Sequence, residues 1–174
     1  MNPVKRQKGF SLIEILITIV VAAIILGLGI PSFRNMIINN RLVSQTNEIV
    51  GIVTTARSEA IRRNTSVSLC RVSTAVATQC VANAGTWDHW IIMAANGDII
   101  QRGTFRRFGN TLNVTSTLTI DRIRFQGDGL ARTGNNLVND HRFRICSTQL
   151  PDRSRHVVLG AGSRQSVVID SNGC

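Results

Sequence analysis

The chain has 174 residues. At about 100–200 residues per domain, this length allows one modest domain, or one domain with an appendage. Its 20 basic residues outnumber its 10 acidic residues, which gives a formal net charge of +10. Hydrophobic residues make up 43% of the chain, which excludes a disordered tail. Four cysteines are too few for a disulfide-dense mini-protein. The composition therefore indicates a small basic domain.

The first thirty residues set the class of protein. Residues 1–9 are polar and basic, and Phe10 to Ile30 form an apolar run in which Glu14 is the sole ionisable residue. A helix of that length spans roughly 31 Å, which is the thickness of the hydrocarbon core of a bilayer. A secretory signal peptide has a shorter apolar core followed directly by small residues, so we expect a retained membrane helix. The basic flank predicts a cytoplasmic N-terminus, and it consists of Lys5, Arg6 and Lys8.

Glu14 is the unusual residue of this segment. An ionisable group inside a membrane segment costs roughly 2.5–3.5 kcal/mol, so it usually has a function and a partner. The apolar run contains no lysine or arginine that could pair with it. From this observation alone two interpretations stay open. Glu14 is either a hydrated or protonated carboxyl at the membrane edge, or a carboxylate whose partner lies in another molecule.

The segment from Gly9 to Glu14 reads G-F-S-L-I-E, after basic residues and before an apolar run that ends near Pro31. It closely resembles the class III signal of type IV prepilins and type II secretion pseudopilins. The resemblance implies that a prepilin peptidase cleaves between Gly9 and Phe10 and N-methylates Phe10. It also implies that Phe10 and Glu14 dock subunits, because the carboxylate pairs with the N-terminal ammonium of a neighbour. Such pairing would remove both charges from lipid.

One long helix is expected over residues 10 to about 63. Pro31 lacks an amide donor and follows two glycines, so it is predicted to break or kink the helix locally. Before this point the helix is apolar on all sides, and over residues 31–63 apolar residues recur at three- and four-residue steps. Arg62 and Arg63 suit the negative end of the helix dipole, and Asn64 suits the cap. The stripe expected to be buried is Phe33, Ile37, Leu42, Thr46, Ile49, Val50, Val53, Ala56, Ala60 and Ile61.

After Asn64 the sequence becomes typical of β-structure. Asn96-Gly97 predicts a tight hairpin, and Gly127-Asp128-Gly129 predicts a turn. The alternation of apolar and polar residues slips near Asp121-Arg122, which suggests a bulge within one strand. The predicted strands are Ser66–Val72, Trp87–Ala94, Asp98–Phe105, Thr117–Phe125, His141–Cys146, His156–Leu159 and Ser166–Ile169.

Four further strings resemble the H-type group of pilin-like proteins, which contains the type II secretion minor pseudopilin H and the minor pilins FimU and FimT. They are Asn40-Arg41-Leu42, Ala56–Ala60, Val67–Cys70 and Ile123-Arg124-Phe125. The resemblance implies an α+β, type IV pilin-like fold, in which a long N-terminal α-helix with a transmembrane first half packs on a C-terminal antiparallel β-rich head. The expected division is a leader at 1–9, a transmembrane and fibre-core helix at 10–30, an amphipathic helix at 31–63 and a globular head at 64–174.

The four cysteines lack the C-x-x-C spacing of a zinc site, so no metal is expected. A head that faces an oxidising compartment favours disulfides. Four cysteines permit three pairings. We favour the pairs of sequence neighbours, Cys70–Cys80 and Cys146–Cys174. Each would be structural and worth about 2–4 kcal/mol.

Motifs of catalytic chemistry are missing from the sequence. It has no G-x-S-x-G, no H-E-x-x-H and no Walker loop, and its three histidines occur singly in strand-like runs. We therefore expect no catalytic residue, no cofactor and no enzymatic activity.

Arginine dominates the basic residues of the head. Beyond residue 9 no lysine remains, and 17 arginines face 10 acidic residues. Arginines two positions apart on a strand share one face, and guanidinium groups bind phosphate bidentately. They could form a DNA-binding surface, a solvated basic face, or contacts to acidic patches on other minor pilins. The candidate DNA-binding residues are Arg142, Arg144, Arg153, Arg155 and Arg164.

The resemblance to FimT bears on that surface, because FimT relatives bind DNA through a basic C-terminal region with a G-R-x-R motif. The nearest strings here are D-R-S-R at 152–155 and G-S-R-Q at 162–165, and neither matches the motif.

These observations together predict a non-enzymatic minor pilin or pseudopilin. It would span the bacterial inner membrane once, with a cytoplasmic N-terminus and a periplasmic head, and then enter a fibre. Its expected partners are prepilin peptidase and other minor pilins or pseudopilins, with which it would help to initiate a type IV pilus or a type II secretion pseudopilus. The alternative is a DNA-binding minor pilin of natural transformation that uses the arginine-rich head.

Overall fold

The structure, a computed structural model, describes residues 9–105, 108, 111–171 and 173–174. Apart from Gly9, the leader expected over residues 1–9 lies outside the described residues, as do the basic side chains that precede the apolar run.

A single helix, α1, runs from Leu12 to Arg63. Glu14 lies in its first turn and two arginines lie in its last turn, and both placements complement the helix dipole. Asn64 ends the helix with a positive φ of 48°, a conformation that asparagine tolerates well. The helix is continuous through residue 31. A local opening at Pro31 stays a prediction.

The first of two compact units contains α1 up to Ile37. Large apolar side chains such as Leu12, Ile19 and Ile25 are more than half exposed. An 18-residue window of this helix has a mean hydropathy of 2.8, and none of the window is buried. By length and composition the helix can cross a membrane, which agrees with the anchor expected from the sequence.

The second unit is the head, which begins at Ile38 and extends to Cys174. It contains the rest of α1 and two antiparallel sheets, with strand orders β3-β2-β1-β5-β6-β7 and β10-β9-β8-β4. A short 3₁₀ turn covers Ala161–Ser163. The strands are β1 Val67–Val72, β2 His89–Ala94, β3 Ile99–Thr104, β4 Leu112–Ser116, β5 Arg122–Phe125, β6 Ala131–Thr133, β7 Asn136–Leu137, β8 His141–Ser147, β9 Ser154–Leu159 and β10 Gln165–Asp170.

The core of the head lies between α1 and the inner faces of both sheets. Leu42, Ile49 and Val53 of α1 pack in one cluster with the inner residues of the strands, such as Phe125 and Phe143. Most of the stripe expected on α1 is therefore buried. Two of its members, Ile37 and Val50, are half-buried. Two more are exposed: Phe33 precedes the head unit and is 61% exposed, and Ile61 is 50% exposed because Ala60 occupies the inward position of the last turn.

The strand expected over Thr117–Phe125 is confirmed over Arg122–Phe125, which is β5, and is wrong over residues 117–121. Residues 117–121 form a connection between β4, which lies in the second sheet, and β5, which lies in the first. Asp121 has a positive φ of 42°, so the slip in alternation marks a passage between sheets and not a bulge. Strands β4, β6 and β7 were not predicted. By contrast, the Asn96-Gly97 hairpin is confirmed, with Gly97 at a φ of 91° between the paired strands β2 and β3.

Candidate functional site

The segment Gly9–Glu14 lies at the start of α1. Gly9 and Phe10 precede the helix, and Phe10 is 79% exposed. The Ser11 carbonyl oxygen accepts hydrogen bonds from the backbone N–H groups of Glu14 (3.1 Å) and Ile15 (3.2 Å), which closes the first turn. The bond between Gly9 and Phe10 therefore lies outside the helix, between two exposed residues. The Glu14 carboxylate sits one turn further along, in the part of a helix that favours negative charge.

Both expected disulfide pairs are formed in the structure. Cys70 of β1 joins Cys80 of the following loop, with 5.6 Å between the Cα atoms. Cys146 of β8 joins Cys174, with 5.7 Å between the Cα atoms. The second bond holds the C-terminal segment on the head, where the Cys174 N–H also donates to the Pro151 carbonyl oxygen at 3.0 Å.

The five candidate DNA-binding arginines do not lie on one face. Arg142 and Arg144 are exposed on the outer face of β8, and the Arg142 guanidinium contacts the Asp140 carboxylate at 3.0 Å. This contact raises the pKa of Arg142. Arg153 precedes β9, and Arg164 is exposed between the 3₁₀ turn and β10.

Arg155 points to the opposite side of the second sheet. It pairs in register with the buried Ile145, so it belongs to the face that covers α1. There the Arg155 Nη2 atom donates to Asn39 Oδ1 of the helix at 3.4 Å. The register of β9 against β8 therefore places Arg155 on the opposite face of the sheet from Arg142 and Arg144.

The outer face near Arg144 holds a buried histidine. His156 is the register partner of Arg144 and is 3% exposed. Its Nε2 atom lies 3.0 Å from Ser154 Oγ. Burial lowers the pKa of His156, and the neighbouring Arg144 charge lowers it further. Burial and the neighbouring arginine charge thus both disfavour the protonated form of the imidazole.

A different pair of arginines does meet across two strands. Arg124 of β5 and Arg132 of β6 are register partners, and both line a polar cleft beside the end of α1. Neither residue is among the candidate DNA-binding residues predicted from the sequence. Their pairing could have been predicted from the turn Gly127-Asp128-Gly129, because a hairpin centred on Asp128 places residue 124 opposite residue 132.

No group of three His, Cys, Asp or Glu side chains is placed to hold a metal ion within residues 9–105, 108, 111–171 and 173–174. The arrangement of the described residues thus offers contact surfaces: an exposed apolar helix and arginine-lined parts of the head.

Two family models match the chain. Residues 45–173 match the family of the type II transport protein GspH, and residues 4–30 match the prokaryotic N-terminal methylation motif. No curated protein sequence matches the chain.

Two crystal forms of the type IV minor pilin FimU from Pseudomonas aeruginosa have the same fold. One is 18% identical with a TM-score of 0.54, and the match covers 73% of this chain and 92% of FimU. The other is 20% identical with a TM-score of 0.56, and the match covers 75% of this chain and 90% of FimU. The long helix on antiparallel sheets is thus the type IV pilin fold, and the chain belongs to the GspH family of minor pilins and pseudopilins.

Proposed function

We propose that this protein is a non-enzymatic fibre subunit that takes part in initiating a type IV pilus or a type II secretion pseudopilus. A match to the N-terminal methylation motif over residues 4–30 leads into an apolar helix whose most apolar window is entirely unburied, and that helix continues into a folded head. This combination is the observation that carries the proposal. Such a helix keeps its apolar surface away from water both in lipid and among like helices in the core of a fibre.

The proposed processing follows from the start of α1. Prepilin peptidase cleaves the exposed bond between Gly9 and Phe10, and Phe10 becomes the N-methylated first residue. The ammonium group that cleavage creates on a neighbouring subunit supplies the cation that Glu14 lacks within its own apolar run. The head faces the periplasm and the original N-terminus faces the cytoplasm, in the orientation favoured by the basic flank.

Processing is tested by producing the full chain with and without prepilin peptidase and measuring its intact mass. The proposal expects a product that starts at Phe10 and carries one additional methyl group. Gly9→Val should keep the leader attached. A processed product with any other first residue would overturn the assignment.

Docking is tested in the cleaved protein. Glu14→Val should leave cleavage intact and abolish incorporation into sheared fibres, because the neighbour's ammonium group loses its partner. Thr18→Val is the matched control, since the Thr18 hydroxyl donates only within its own helix, to the Ile15 carbonyl oxygen at 2.7 Å. Normal incorporation of the Glu14 variant would contradict the docking role.

A second candidate function is DNA binding by the head. It is favoured by the excess of 17 arginines over 10 acidic residues beyond residue 9 and by the exposure of Arg142, Arg144 and Arg164. The test is a salt titration of DNA binding by the full chain in neutral detergent. The logarithm of affinity should fall with a slope near −0.9 per phosphate contacted.

The variant for that titration changes Arg142, Arg144, Arg153, Arg155 and Arg164 to Gln. Binding that the variant loses would support DNA capture, and absence of binding at low salt would exclude it. Because Arg155 contacts α1 and not the outer face, restoring Arg155 alone should recover little affinity.

A further inference from the structure

A polar cleft of about 680 Å³ lies beside the C-terminal end of α1. Asn64 and Ser66, which connect α1 to β1, line one part of it. Arg124, Asp128 and Arg132, from β5, β6 and the turn between them, line another part. All of the lining residues are polar, charged or glycine, so the cleft is suited to a hydrated polar group and not to an apolar one.

The two arginines of the cleft are placed against each other. Register partners on neighbouring antiparallel strands have Cβ atoms about 4.5–5.5 Å apart, and like charges in such positions destabilise a sheet. The Arg132 Nη2 atom lies 3.6 Å from Asp128 Oδ2, a long contact that leaves most of its donors free. The Arg124 guanidinium makes no hydrogen bond or ion pair with any other residue that the structure describes. One positive charge of the cleft is therefore uncompensated.

The walls of the cleft are fixed by the backbone. A Cβ atom on Gly127 would lie 3.1 Å from the Asn64 carbonyl carbon, so the β5–β6 turn packs tightly on the end of the helix. The Gly129 N–H donates to the Gln126 carbonyl oxygen at 2.9 Å, and the Leu130 N–H donates to Asp128 Oδ1 at 2.8 Å. Binding here would order the arginine side chains on a scaffold that already exists, which lowers its entropic cost.

We propose that this cleft binds a carboxylate from an acidic segment of another subunit of the fibre. Arg124 is the principal contact, and Arg132 is shared between that carboxylate and Asp128. The inference rests on the proposed function, because a fibre subunit has neighbours that can supply the segment.

Charge favours a carboxylate over a nucleic acid. The two guanidinium groups and Asp128 carry a net charge of +1, which one carboxylate neutralises and two parallel N–H donors can bind bidentately. A nucleic acid strand would bring one negative charge per nucleotide past Asp128, which repels it. The concave shape likewise suits one protruding side chain.

The test uses the full chain in neutral detergent at low ionic strength, with fluorescein-labelled hexaglutamate as the probe and anisotropy as the signal. The variant is Arg124→Gln with Arg132→Gln. The charge-matched control is Arg34→Gln with Arg102→Gln, two exposed arginines that do not line the cleft. We expect at least tenfold weaker binding by the cleft variant and less than a twofold change in the control. Absence of binding, or equal losses in both variants, would overturn the proposal.

A second variant tests carboxylate binding by the cleft even if the double arginine variant does not fold. Asp128→Asn removes the carboxylate that competes for Arg132, so it should strengthen hexaglutamate binding severalfold, a gain that misfolding cannot produce. Unchanged or weaker binding would contradict the shared role of Arg132. Labelled hexathymidylate tests whether the cleft prefers a phosphodiester to a carboxylate. If it binds more tightly than hexaglutamate, with the same dependence on Arg124 and Arg132, the ligand of the cleft is DNA and the carboxylate proposal is overturned.

The two proposals fail separately. Loss of processing at Gly9–Phe10 would overturn the fibre-subunit function without touching the peptide titration. Normal processing and incorporation, with no hexaglutamate binding, would overturn only the proposal that the cleft binds a carboxylate.

Discussion

The Trp87 indole N–H donates a hydrogen bond to Asp121 Oδ1 at 2.9 Å, where the Asp121 side chain is fully buried. The other carboxylate oxygen accepts from Arg71 Nε and from the Gly85 backbone N–H, each at 2.7 Å. Ser116 at the end of β4 also donates to Oδ1. One carboxylate thus ties β1, the β1–β2 loop and β4 together, on a backbone held at a positive φ. Asp121 therefore organises the junction of the two sheets.

Asp121→Ala should lower the free energy of unfolding by about 3–5 kcal/mol, because it leaves the largely buried Arg71 charge without its carboxylate partner and the indole N–H without an acceptor. Asp121→Asn should cost less, since asparagine tolerates a positive φ and keeps one acceptor oxygen. Denaturant unfolding of the full chain, followed by tryptophan fluorescence, measures both. Thr119→Ala, in the same connection but exposed, is the control. Equal unfolding midpoints for wild type and Asp121→Ala would contradict the role of this carboxylate.

The two disulfides close loops of different length, with sequence separations of 10 and 28 residues. In the loop-entropy model a longer loop gives more stabilisation, so Cys146→Ser with Cys174→Ser should cost roughly 1 kcal/mol more than Cys70→Ser with Cys80→Ser. Thermal unfolding of both double variants beside the wild type tests the order. The reverse order would mean that the buried side chains around Cys70 determine the loss, and not chain entropy.

The prediction of α1 succeeded because helical periodicity is a local signal. Apolar residues at three- and four-residue steps predicted the buried stripe around Leu42, Ile49 and Val53. The C-terminal end of the helix was predicted from residue type, by the two arginines of its last turn and by Asn64. The exposure of Phe33 could not be predicted in the same way, since it depends on where the head begins and not on the period.

Strands could be predicted from the sequence where apolar and polar residues alternate. The prediction was wrong where contacts distant in sequence determine the local conformation. Asp121 reads as a polar interruption of one strand, yet its partners Arg71 and Trp87 lie far away in sequence and only the fold brings them together. The relative placement of the arginines could not be predicted for a related reason. Spacing tells which arginines share a face of one strand, but only the pairing register tells that Arg155 faces α1 and that Arg124 meets Arg132.

His156 should make the stability of the head sensitive to mild acid. Burial, and next the Arg144 charge, hold its pKa below the ordinary value of 6.5 in the folded state. The unfolded chain therefore binds the proton first, so this contribution to stability is present above pH 6.5 and is lost as the pH falls towards the folded pKa. His156→Asn should remove this part of the pH dependence of Tm.

The control for that experiment is His89→Gln, a histidine of the first sheet that contacts Thr104. The slope of Tm below pH 6.5 should persist in this variant because His156 is still present. Persistence of the same slope in the His156 variant would assign it to another group.

Glu59 should extend the acid sensitivity to lower pH. Its carboxylate accepts hydrogen bonds from the side chains of Arg62 and Arg63, with shortest distances of 2.7 and 2.8 Å. The bond from Arg62, followed by that from Arg63, lowers the pKa of Glu59 from 4.5 to about 2. Because the folded pKa is the lower one, the stabilisation is complete above pH 4.5 and disappears between pH 4.5 and about 2.

Glu59→Gln should accordingly lower Tm at neutral pH and flatten its decline below pH 4.5, so that variant and wild type converge near pH 2. The exposed arginine partners are screened by salt, so 1 M NaCl should shrink the difference at neutral pH. Thermal unfolding of the full chain in neutral detergent measures both effects. A Glu59→Gln variant with the wild-type acid slope would show that the ion pairs at the end of α1 contribute nothing to stability. In that case the helix would be ended by Asn64 and the packing of Gly127 alone.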